Sequence, residues 1–432
     1  MRHLVVISII FAVLGMAVGP LCAEDGGKVR LFILKEDYLA LVKKQWKAGD
    51  PDTGRNIKSL VKQAKKALTR GPYSVTFKKF PHPGGDQHDF LAYGAYFWPN
   101  PDTETGVPWV ARDGFPNPDA RMDWNQFQPM GKESWLLALA YYYTGDETYA
   151  KQAALLLRTW FIDKKTRMNP RVTHGKVIPG VMEGGYAVAG FGYGFRNIYD
   201  AAGILESSPA WTSADKAAFV EWTRAFMKWS ETSTYGRNEY LSKSNHSTFF
   251  HMILAVQALY VGDEARAHET LKNYIYRRIP RHFAADGTQP YEIMRANSYD
   301  YHRCNLQIAM DIAQMADRYD DLDAWNFKTE TGAGLRRSLE FLVPYFTGEK
   351  KWPYFKRHTF TIPKYLRARL MRRAALGYGD MLFENAVKKI IRKYGLSLIN
   401  VIYPREAIKV GKVLEGHRRA SYGVSRSKPL KK

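Results

Sequence analysis

The sequence predicts an all-α fold, an α/α toroid or incomplete barrel built from αα-hairpins, with a long aromatic loop over its cleft. Three observations predict it. Apolar residues recur at helical spacing along most of the chain, one helix–turn–helix pattern occurs twice, and strand-like alternation of apolar and polar residues is nearly absent. The chain has 432 residues, of which 45% are hydrophobic, and this is enough to build one large core.

The individual helices follow from apolar residues at positions i, i+3, i+4 and i+7, which place one apolar stripe along each helix. The first two run from Leu34 to Trp46 and from Ile57 to Leu68. The same spacing predicts further helices at 130–143, 148–161, 212–232, 247–260, 265–278, 301–319, 334–345 and 382–394.

The helix–turn–helix pattern that occurs twice covers Ala138 to Ala150 and Ala255 to Ala267, and both copies read A-x-x-x-x-Y-x-G-D-E-x-x-A. The glycine suits the left-handed position that ends one helix, and the aspartate can cap the next. Each copy is therefore predicted to be an αα-hairpin with a short turn. Repeated hairpins favour a toroid whose inner helices line a cavity, and a solenoid stays open because two copies do not distinguish a ring from a spiral.

A long loop rich in Pro, Gly, Asp and aromatic residues is predicted from Phe80 to about Asp123. Loops of this length inside a compact domain are usually functional. Aromatic rings stack on sugar rings, while Asp, Asn and Arg side chains bond to hydroxyls and carboxylates. The loop is therefore predicted to bind a sugar or, equally well, to plug the core with its rings.

Residues 1–23 are predicted to be a signal peptide, with a basic start, an apolar run and a small-residue site at Leu21-Cys22-Ala23. An exported protein, periplasmic or secreted, is therefore expected. Removal of the peptide leaves Cys304 as the only cysteine, and its apolar neighbours predict a buried small residue. The remainder is predicted to form a toroid domain at 24–355 and a basic helical extension at 356–432, packed on or continuing the toroid.

The net charge of +22 is concentrated near the end of the chain, where residues 351–432 hold 21 Lys and Arg against 4 Asp and Glu. A basic surface concentrates anions, so nucleic acid, anionic lipid and acidic polysaccharide are the candidate partners. Export disfavours nucleic acid, and the early apolar run is too short for stable membrane insertion. An acidic polysaccharide is therefore expected. No cofactor or metal is expected, because neither an HExxH motif nor an EF-hand-like Asp run occurs.

Four residues could carry chemistry on such a polymer. Asn245 and His246 begin an apolar helix, where Ser244 or Asn245 can act as the cap and the positive helix end favours a neutral, basic imidazole. Arg295 offers bidentate binding of a carboxylate, and Tyr301 offers a phenol that a nearby cation can activate. Because Arg295 and Tyr301 are six positions apart, they converge only through an irregular turn or an adjacent loop.

Each of these residues also has an ordinary structural interpretation. Asn245 could be only a helix cap and His246 a buried histidine, or Arg295 could pair with Glu292 while the tyrosines pack in the core. Taken together, however, an amide, an imidazole, a guanidinium and a phenol can remove a proton alpha to a carboxylate and expel an oxygen. The set therefore predicts β-elimination of an acidic polysaccharide.

The loop and these residues together, in this order, resemble the alginate lyase superfamily of polysaccharide lyases. The matching stretches span about residues 86 to 355. They are His88-Asp-Phe, Tyr96-Phe-Trp-Pro-Asn-Pro-Asp102, Arg112-Asp-Gly-Phe-Pro-Asn-Pro118, Leu137 to Glu147, Trp160-Phe-Ile-Asp163, Thr166-Arg-Met-Asn-Pro170, Ile178-Pro-Gly180, Ser244-Asn-His246, Gln289-Pro-Tyr-Glu292 with Arg295 and Tyr301, and Lys351-Trp-Pro353.

The resemblance implies an α/α toroid and metal-independent β-elimination at the uronates of alginate or a β-1,4-glucuronan, leaving an unsaturated uronate at the non-reducing end of the product. Asn245 and Arg295 would neutralise the uronate carboxylate, and Tyr301 would protonate the leaving O4. The C5 proton would be taken by His246 when it lies opposite the leaving oxygen, or by Tyr301 when both lie on one face.

Substrate contacts are predicted for six further residues. Asn197 is included because Ser244 stands where some members of the superfamily carry another asparagine, so a second neutralising amide must come from elsewhere. The six predicted residues are His88, Tyr96, Trp98, Asn197, Tyr299 and His302.

Two other functions stay open. An inverting glycoside hydrolase on the same architecture would use two separated carboxylates, for which Asp123, Glu133 and Glu292 are the candidates. A non-catalytic polyanion-binding protein would bind the same polymers and leave their length unchanged.

Overall fold

Helices dominate the parts of the chain that the computed structural model describes, which are residues 29–355, 361–391 and 396–409. They are α1 Glu36–Lys47, α2 Pro51–Ala67, α3 Trp124–Thr144, α4 Glu147–Phe161, α5 Val188–Leu205, α6 Ser213–Thr232, α7 Thr234–Leu241, α8 Asn245–Val261, α9 Glu264–Asn273, α10 Ile279–His282, α11 Pro290–Ile293, α12 Ser298–Ala316, α13 Leu335–Thr347, α14 Lys364–Tyr378, α15 Met381–Ile390 and α16 Ser397–Ile402.

Five of these helices form the inner layer, because α3, α5, α8, α12 and α14 each pack on the next. An outer helix follows each of them in the chain, namely α4, α6, α9, α13 and α15. The circuit returns to its start through α16, which packs on α2, while α2 packs on α3. Nearly every residue of α8 and α12 is buried, as expected for helices surrounded by other helices. The predicted α/α toroid is therefore confirmed.

The two repeated turns have the predicted chemistry. Gly145 and Gly262 end α3 and α8 with φ values of 72° and 78°, in the left-handed region that glycine occupies without strain. The next residue caps the following helix, since Asp146 accepts a hydrogen bond from the Thr148 amide and Asp263 accepts one from the Arg266 amide. The short αα-hairpins are thus confirmed in both copies.

Two small sheets hold the aromatic loop. Strand β1 (Leu91–Tyr93) pairs in parallel with β4 (His174–Val177), and β2 (Phe97–Trp98) pairs antiparallel with β3 (Val110–Ala111). The base of the loop is fixed by Asp89, which accepts hydrogen bonds from Arg171 at 2.7 and 2.9 Å and from Asn169 at 2.9 Å. These contacts hold the loop against the segment that follows α4.

The toroid interior contains a buried ion-pair network. Arg196 of α5 makes a two-bond contact of 2.8 Å with Asp311 of α12, and Arg373 of α14 bonds to the same carboxylate at 2.6 Å. The three side chains are almost closed to solvent. Burial opposes ionisation of Asp311, but the two guanidinium groups outweigh it and lower the pKa of this carboxyl. The network therefore ties three inner helices together.

Several sequence predictions fall outside or at the edge of the described residues. The predicted signal peptide at 1–23 and the basic end of the chain at 410–432 lie outside them. Within them, no helix is both long and apolar enough to cross a membrane.

Cys304 is buried, as predicted, and burial raises the pKa of its thiol to about 12.

Candidate active site

A cleft of about 640 Å³ opens at the N-terminal ends of α5 and α8, with the aromatic loop as one wall. The turn that precedes α12 forms another part of its lining. The four residues predicted to carry chemistry all line this cleft, and among the loop residues of the lining two contact them directly. These six residues are Asn245, His246, Arg295, Tyr301, Tyr96 and Asp113.

The Tyr301 hydroxyl lies at the centre of a short hydrogen-bond chain. It accepts a bond from an Arg295 Nη at 2.9 Å and donates one to the Tyr96 hydroxyl, also at 2.9 Å. The Arg295 guanidinium also lies 4.1 Å from the centre of the Tyr301 ring. The predicted convergence of Arg295 and Tyr301 through an irregular turn is confirmed, since Arg295 precedes α12 and Tyr301 lies in its first turn.

The protonation of Tyr301 at rest follows from its surroundings. Burial raises the pKa of Tyr301 well above its usual value and Tyr96 adds to the rise, while the Arg295 charge opposes it. Tyr301 is therefore a phenol in the resting protein and can donate a proton without prior activation. The guanidinium beside it would stabilise the phenolate that such a donation leaves.

Asp113, from the aromatic loop, holds Arg295 in place. Its carboxylate accepts bonds from Arg295 at 2.8 and 3.2 Å and from the Ala296 amide at 3.0 Å. The Arg295 bond is the main reason why the pKa of Asp113 lies below its usual value. The contact joins the loop to the turn before α12, and no motif at the level of sequence indicates it.

Asn245 is oriented by Glu292, not used as a helix cap. Both its backbone amide and its side-chain amide donate to the Glu292 carboxylate at 2.6 Å, and Ser244 at the helix start makes no side-chain cap bond. The structure thus differs from both the cap prediction and the suggested Arg295–Glu292 ion pair. Burial raises the pKa of Glu292, while the bonds from Asn245 oppose the rise. Asn245 also lines the cleft.

His246 is oriented by Glu239 of α7, whose carboxylate lies 2.6 Å from Nδ1. The imidazole is 32% exposed, so its remaining nitrogen, Nε2, is the one that can act in the cleft. A carboxylate behind one ring nitrogen fixes the ring orientation and the tautomer. Glu239 stands seven positions before His246 and was not indicated by any spacing, because the two meet only through the turn between α7 and α8.

The loop residues predicted to bind substrate divide into two groups. Tyr96 lines the cleft, as does Phe97, but Trp98 is the next residue of the strand and does not line it. The Trp98 indole donates instead to the Phe115 carbonyl at 2.9 Å. His88 lies away from the cleft lining, with its Nδ1 2.6 Å from the Arg167 carbonyl. The contact of Trp98 thus joins two parts of the loop, and that of His88 joins the loop to the segment after α4.

Three other residues predicted to bind substrate do not line the cleft. Tyr299 is buried and donates to the Tyr345 carbonyl at 2.9 Å. His302 is fully buried, its Nε2 lies 3.1 Å from the Ser338 hydroxyl, and burial lowers its pKa to about 3. Asn197 lies on α5 about 10 Å along the helix from the first-turn residues that line the cleft. These positions do not support the predicted contacts of Tyr299 and His302, which packing directs into the core, and Asn197 lies outside the cleft lining in the described part of the chain.

The carboxylates proposed for a glycoside hydrolase are engaged outside the cleft. Asp123 is bonded to Lys78 at 3.1 Å, and burial raises its pKa to about 6. Glu133 is bonded to Arg70 at 3.0 Å. Glu292 accepts hydrogen bonds from the backbone and side-chain amides of Asn245. None of the three lines the cleft in the described part of the chain, so the pair that an inverting hydrolase needs is not present there.

No group of three or more His, Cys, Asp or Glu side chains within residues 29–355, 361–391 and 396–409 is placed to hold a metal ion. Among the described residues, three positively charged side chains line the cleft. They are Lys176 of β4, Arg121 of the loop and Arg295. The wall therefore presents more positive than negative groups, as binding of a polyanion requires.

Comparisons with known proteins agree with this geometry. The family described as Alginate lyase matches residues 74–352. The structure is similar to the crystal structure of an alginate lyase from Bacteroides ovatus, with 31% sequence identity, a TM-score of 0.82, and coverage of 87% of this chain and 99% of that chain. It shares its fold with alginate lyase A1-III from Sphingomonas species A1, at 15% identity, a TM-score of 0.53, and coverage of 79% and 87%. A search of curated proteins finds no match.

Proposed function

Because the chain belongs to the alginate lyase family and is a polysaccharide lyase, we propose that it cleaves a polyuronate, alginate or a β-1,4-glucuronan, by β-elimination. The observation that carries the proposal is the Tyr301 hydroxyl, bonded to Arg295 and Tyr96 on the wall of a cleft that also presents Asn245 and His246. A phenol, a cation, an amide and an imidazole converge there on one space. The proposal includes export directed by residues 1–23 to a compartment where such polymers occur.

The first requirement of the reaction is neutralisation of the uronate carboxylate, which makes the C5 proton more acidic. The Asn245 amide supplies a donor whose direction Glu292 fixes. Arg295 supplies the charge, at a position that Asp113 and Tyr301 define. Donors held in place before the substrate arrives need no reorganisation during the reaction, which is the main source of electrostatic catalysis.

The second requirement is a proton for the leaving O4. Tyr301 is protonated at rest, because burial raises its pKa, and Arg295 stabilises the phenolate that remains after donation. Its bond to the Tyr96 hydroxyl offers a route by which the proton is replaced. Tyr301 is therefore the general acid of the proposed reaction.

The group that takes the C5 proton depends on the sugar. In mannuronate and glucuronate the C5 proton and O4 lie on the same face of the ring, so Tyr301 is the group that reaches both. In guluronate they lie on opposite faces, so the proton goes to Nε2 of His246, whose ring Glu239 orients. In the first case Tyr301 first passes its own proton to solvent along its bond to Tyr96, then takes the C5 proton and gives it to O4. The neighbouring Arg295 lowers the cost of the phenolate that this requires.

Incubation with polymannuronate, polyguluronate and glucuronan tests the function. We expect ultraviolet absorbance from the new C4–C5 double bond and shortened chains with an unsaturated uronate at the non-reducing end. The proposed steps use only side chains, so a chelator is expected to leave the rate unchanged. New reducing ends without absorbance would indicate a hydrolase, and binding without any cleavage would indicate a polyanion-binding protein.

A His246→Gln substitution separates the two routes. We expect it to lower the rate on polyguluronate by about 100-fold, since general base catalysis is lost, and to affect polymannuronate much less. The measurement is the ratio of initial rates on the two polymers. His268→Gln, on α9 outside the cleft lining, is the matched control. Equal losses on both polymers would show that His246 serves carboxylate neutralisation and not proton abstraction.

A further inference from the structure

A second surface with the character of a polyanion site lies on the α1–α2 hairpin, outside the lining of the cleft. A shallow groove there has Trp46 of α1 and Ile57 and Val61 of α2 as its apolar floor. Trp46 is only partly buried, so part of its ring is open to a ligand. The rim of the groove consists of four exposed lysines: Lys58, Lys62, Lys65 and Lys66.

The four lysines share one face of α2. Positions i, i+4, i+7 and i+8 fall on the same side of a helix, and an interval of four residues corresponds to about 6 Å along its axis. Within the described residues, none of the four forms an ion pair at 4 Å or less. Lys44 and Lys47 of α1 are also exposed and extend the positive charge along the same hairpin. The groove therefore carries a row of amines whose charge nothing in its lining balances.

The combination of a ring and a row of amines indicates the ligand. An aromatic face with an aliphatic floor stacks on a pyranose ring, whose C–H bonds are apolar. Regularly spaced amines match a polymer with one carboxylate on each sugar, and they act as point charges that tolerate small differences in spacing. Solvated lysines alone would not account for the partly exposed tryptophan on the floor of the same groove.

We propose that this groove is a second, non-catalytic binding site for an acidic polysaccharide chain. The identity of the polymer as a polyuronate rests on the proposed function, whereas the presence of the site does not. A chain long enough to span the roughly 30 Å of α3, from its Asp146 end near Lys65 to its Trp124 end at the cleft, would occupy both sites. The second contact would raise the affinity without changing the chemistry, because it becomes effectively intramolecular. A short oligosaccharide would occupy the cleft alone.

The test replaces Lys58, Lys62 and Lys65 together by Gln, which keeps the helix and removes three charges. In a Tyr301→Phe background, where the polymer is cut only very slowly, we expect about tenfold weaker binding of long polymannuronate at low salt and an unchanged affinity for the trisaccharide. The matched control replaces Lys164, Lys165 and Lys228, exposed lysines elsewhere, and is expected to bind the long polymer like the parent.

Two further measurements distinguish specific binding in the groove from a general effect of charge. Trp46→Ala, with its unfolding midpoint measured in parallel, is expected to weaken long-polymer binding while the trisaccharide affinity stays constant. With Tyr301 restored, the lysine variant should raise KM for the polymer and leave kcat unchanged. Equal losses in the patch and control variants, or a larger loss for oligothymidylate than for polymannuronate, would overturn the proposal. Absence of turnover with intact patch-dependent binding would overturn the proposed function alone.

Discussion

Tyr301→Phe is expected to lower kcat on every cleavable polyuronate by about three orders of magnitude, because it removes the proton donor for O4. The substitution removes one oxygen and leaves the ring, which stays beneath the Arg295 guanidinium. Arg295 itself remains fixed by Asp113 at 2.8 Å, so the positive charge of the cleft keeps its place. The variant should therefore bind polymer with nearly the parent affinity while product absorbance develops very slowly.

The matched control for this variant is Tyr93→Phe. Tyr93 also lines the cleft, but its ring packs beside Trp109, and no hydrogen bond joins it to the Arg295–Tyr301 chain within the described residues. Its loss of a hydroxyl is expected to leave kcat close to that of the parent. Turnover retained by Tyr301→Phe would show that another group protonates O4. Loss of binding together with turnover would show a structural role instead.

Asp311→Asn is expected to lower the free energy of unfolding by about 3–5 kcal/mol, because it leaves two buried guanidinium groups without their carboxylate. Asparagine has nearly the same size as aspartate, so the change removes charge and leaves no cavity. Arg196 and Arg373, which are both nearly closed to solvent, lose their partner at once. Denaturant unfolding followed by circular dichroism gives the difference directly.

The pH dependence of the free energy of unfolding provides a second test of the Asp311 network. The folded-state pKa of Asp311 lies below its ordinary value, so its stabilising contribution is present above the ordinary range and is lost as the pH falls through the folded-state value. Asp311→Asn should flatten that part of the stability profile. Glu349→Gln, which removes an exposed ion pair with Lys389, is the control. It should change neither the free energy of unfolding nor the pH profile of stability by a comparable amount. A stability loss no larger than that of the control would contradict the assigned role of the network.

Much of the fold could be predicted from the sequence, but the inner helix α5 could not. Its glycines lower helix propensity by about 1 kcal/mol each, so the local pattern does not indicate a helix. In the toroid they are points of close packing. A Cβ on Gly192 would lie 2.2 Å from the Phe249 ring, and one on Gly194 would lie 2.3 Å from the Phe127 ring. Tertiary packing therefore determines the helical conformation of α5, and local sequence rules do not predict it.

Helix α14 lies within the basic helical extension predicted at 356–432, but the burial of its arginines could not be predicted. Its run of arginines suggests a solvated basic surface, yet Arg372 and Arg373 are almost completely buried. Arg372 is bonded to Glu384 at 2.6 Å, and Arg373 to Asp311 at 2.6 Å. Whether an arginine faces water or the core depends on carboxylates that are distant in the chain. Composition alone therefore does not tell which arginines of this extension are buried.

The residue types of the candidate site could be predicted, whereas their orientation and partners could not. Tyr301 lines the cleft, while His302, the next residue, is turned by about 100° around the helix and lies in the core. Asp113 and Glu239 reach the site from the loop and from α7, at positions that no spacing rule relates to Arg295 or His246. Such contacts arise only from the three-dimensional arrangement of the toroid.

The bond between Asp113 and Arg295 means that a uronate in the cleft would share a guanidinium that already has one carboxylate partner. Part of the Arg295 charge is therefore neutralised before the polymer arrives. The affinity gained for each uronate carboxylate is then smaller than an unpaired arginine would give, for substrate and product alike. A permanent partner of this kind keeps the arginine in position and favours release of the cut chain.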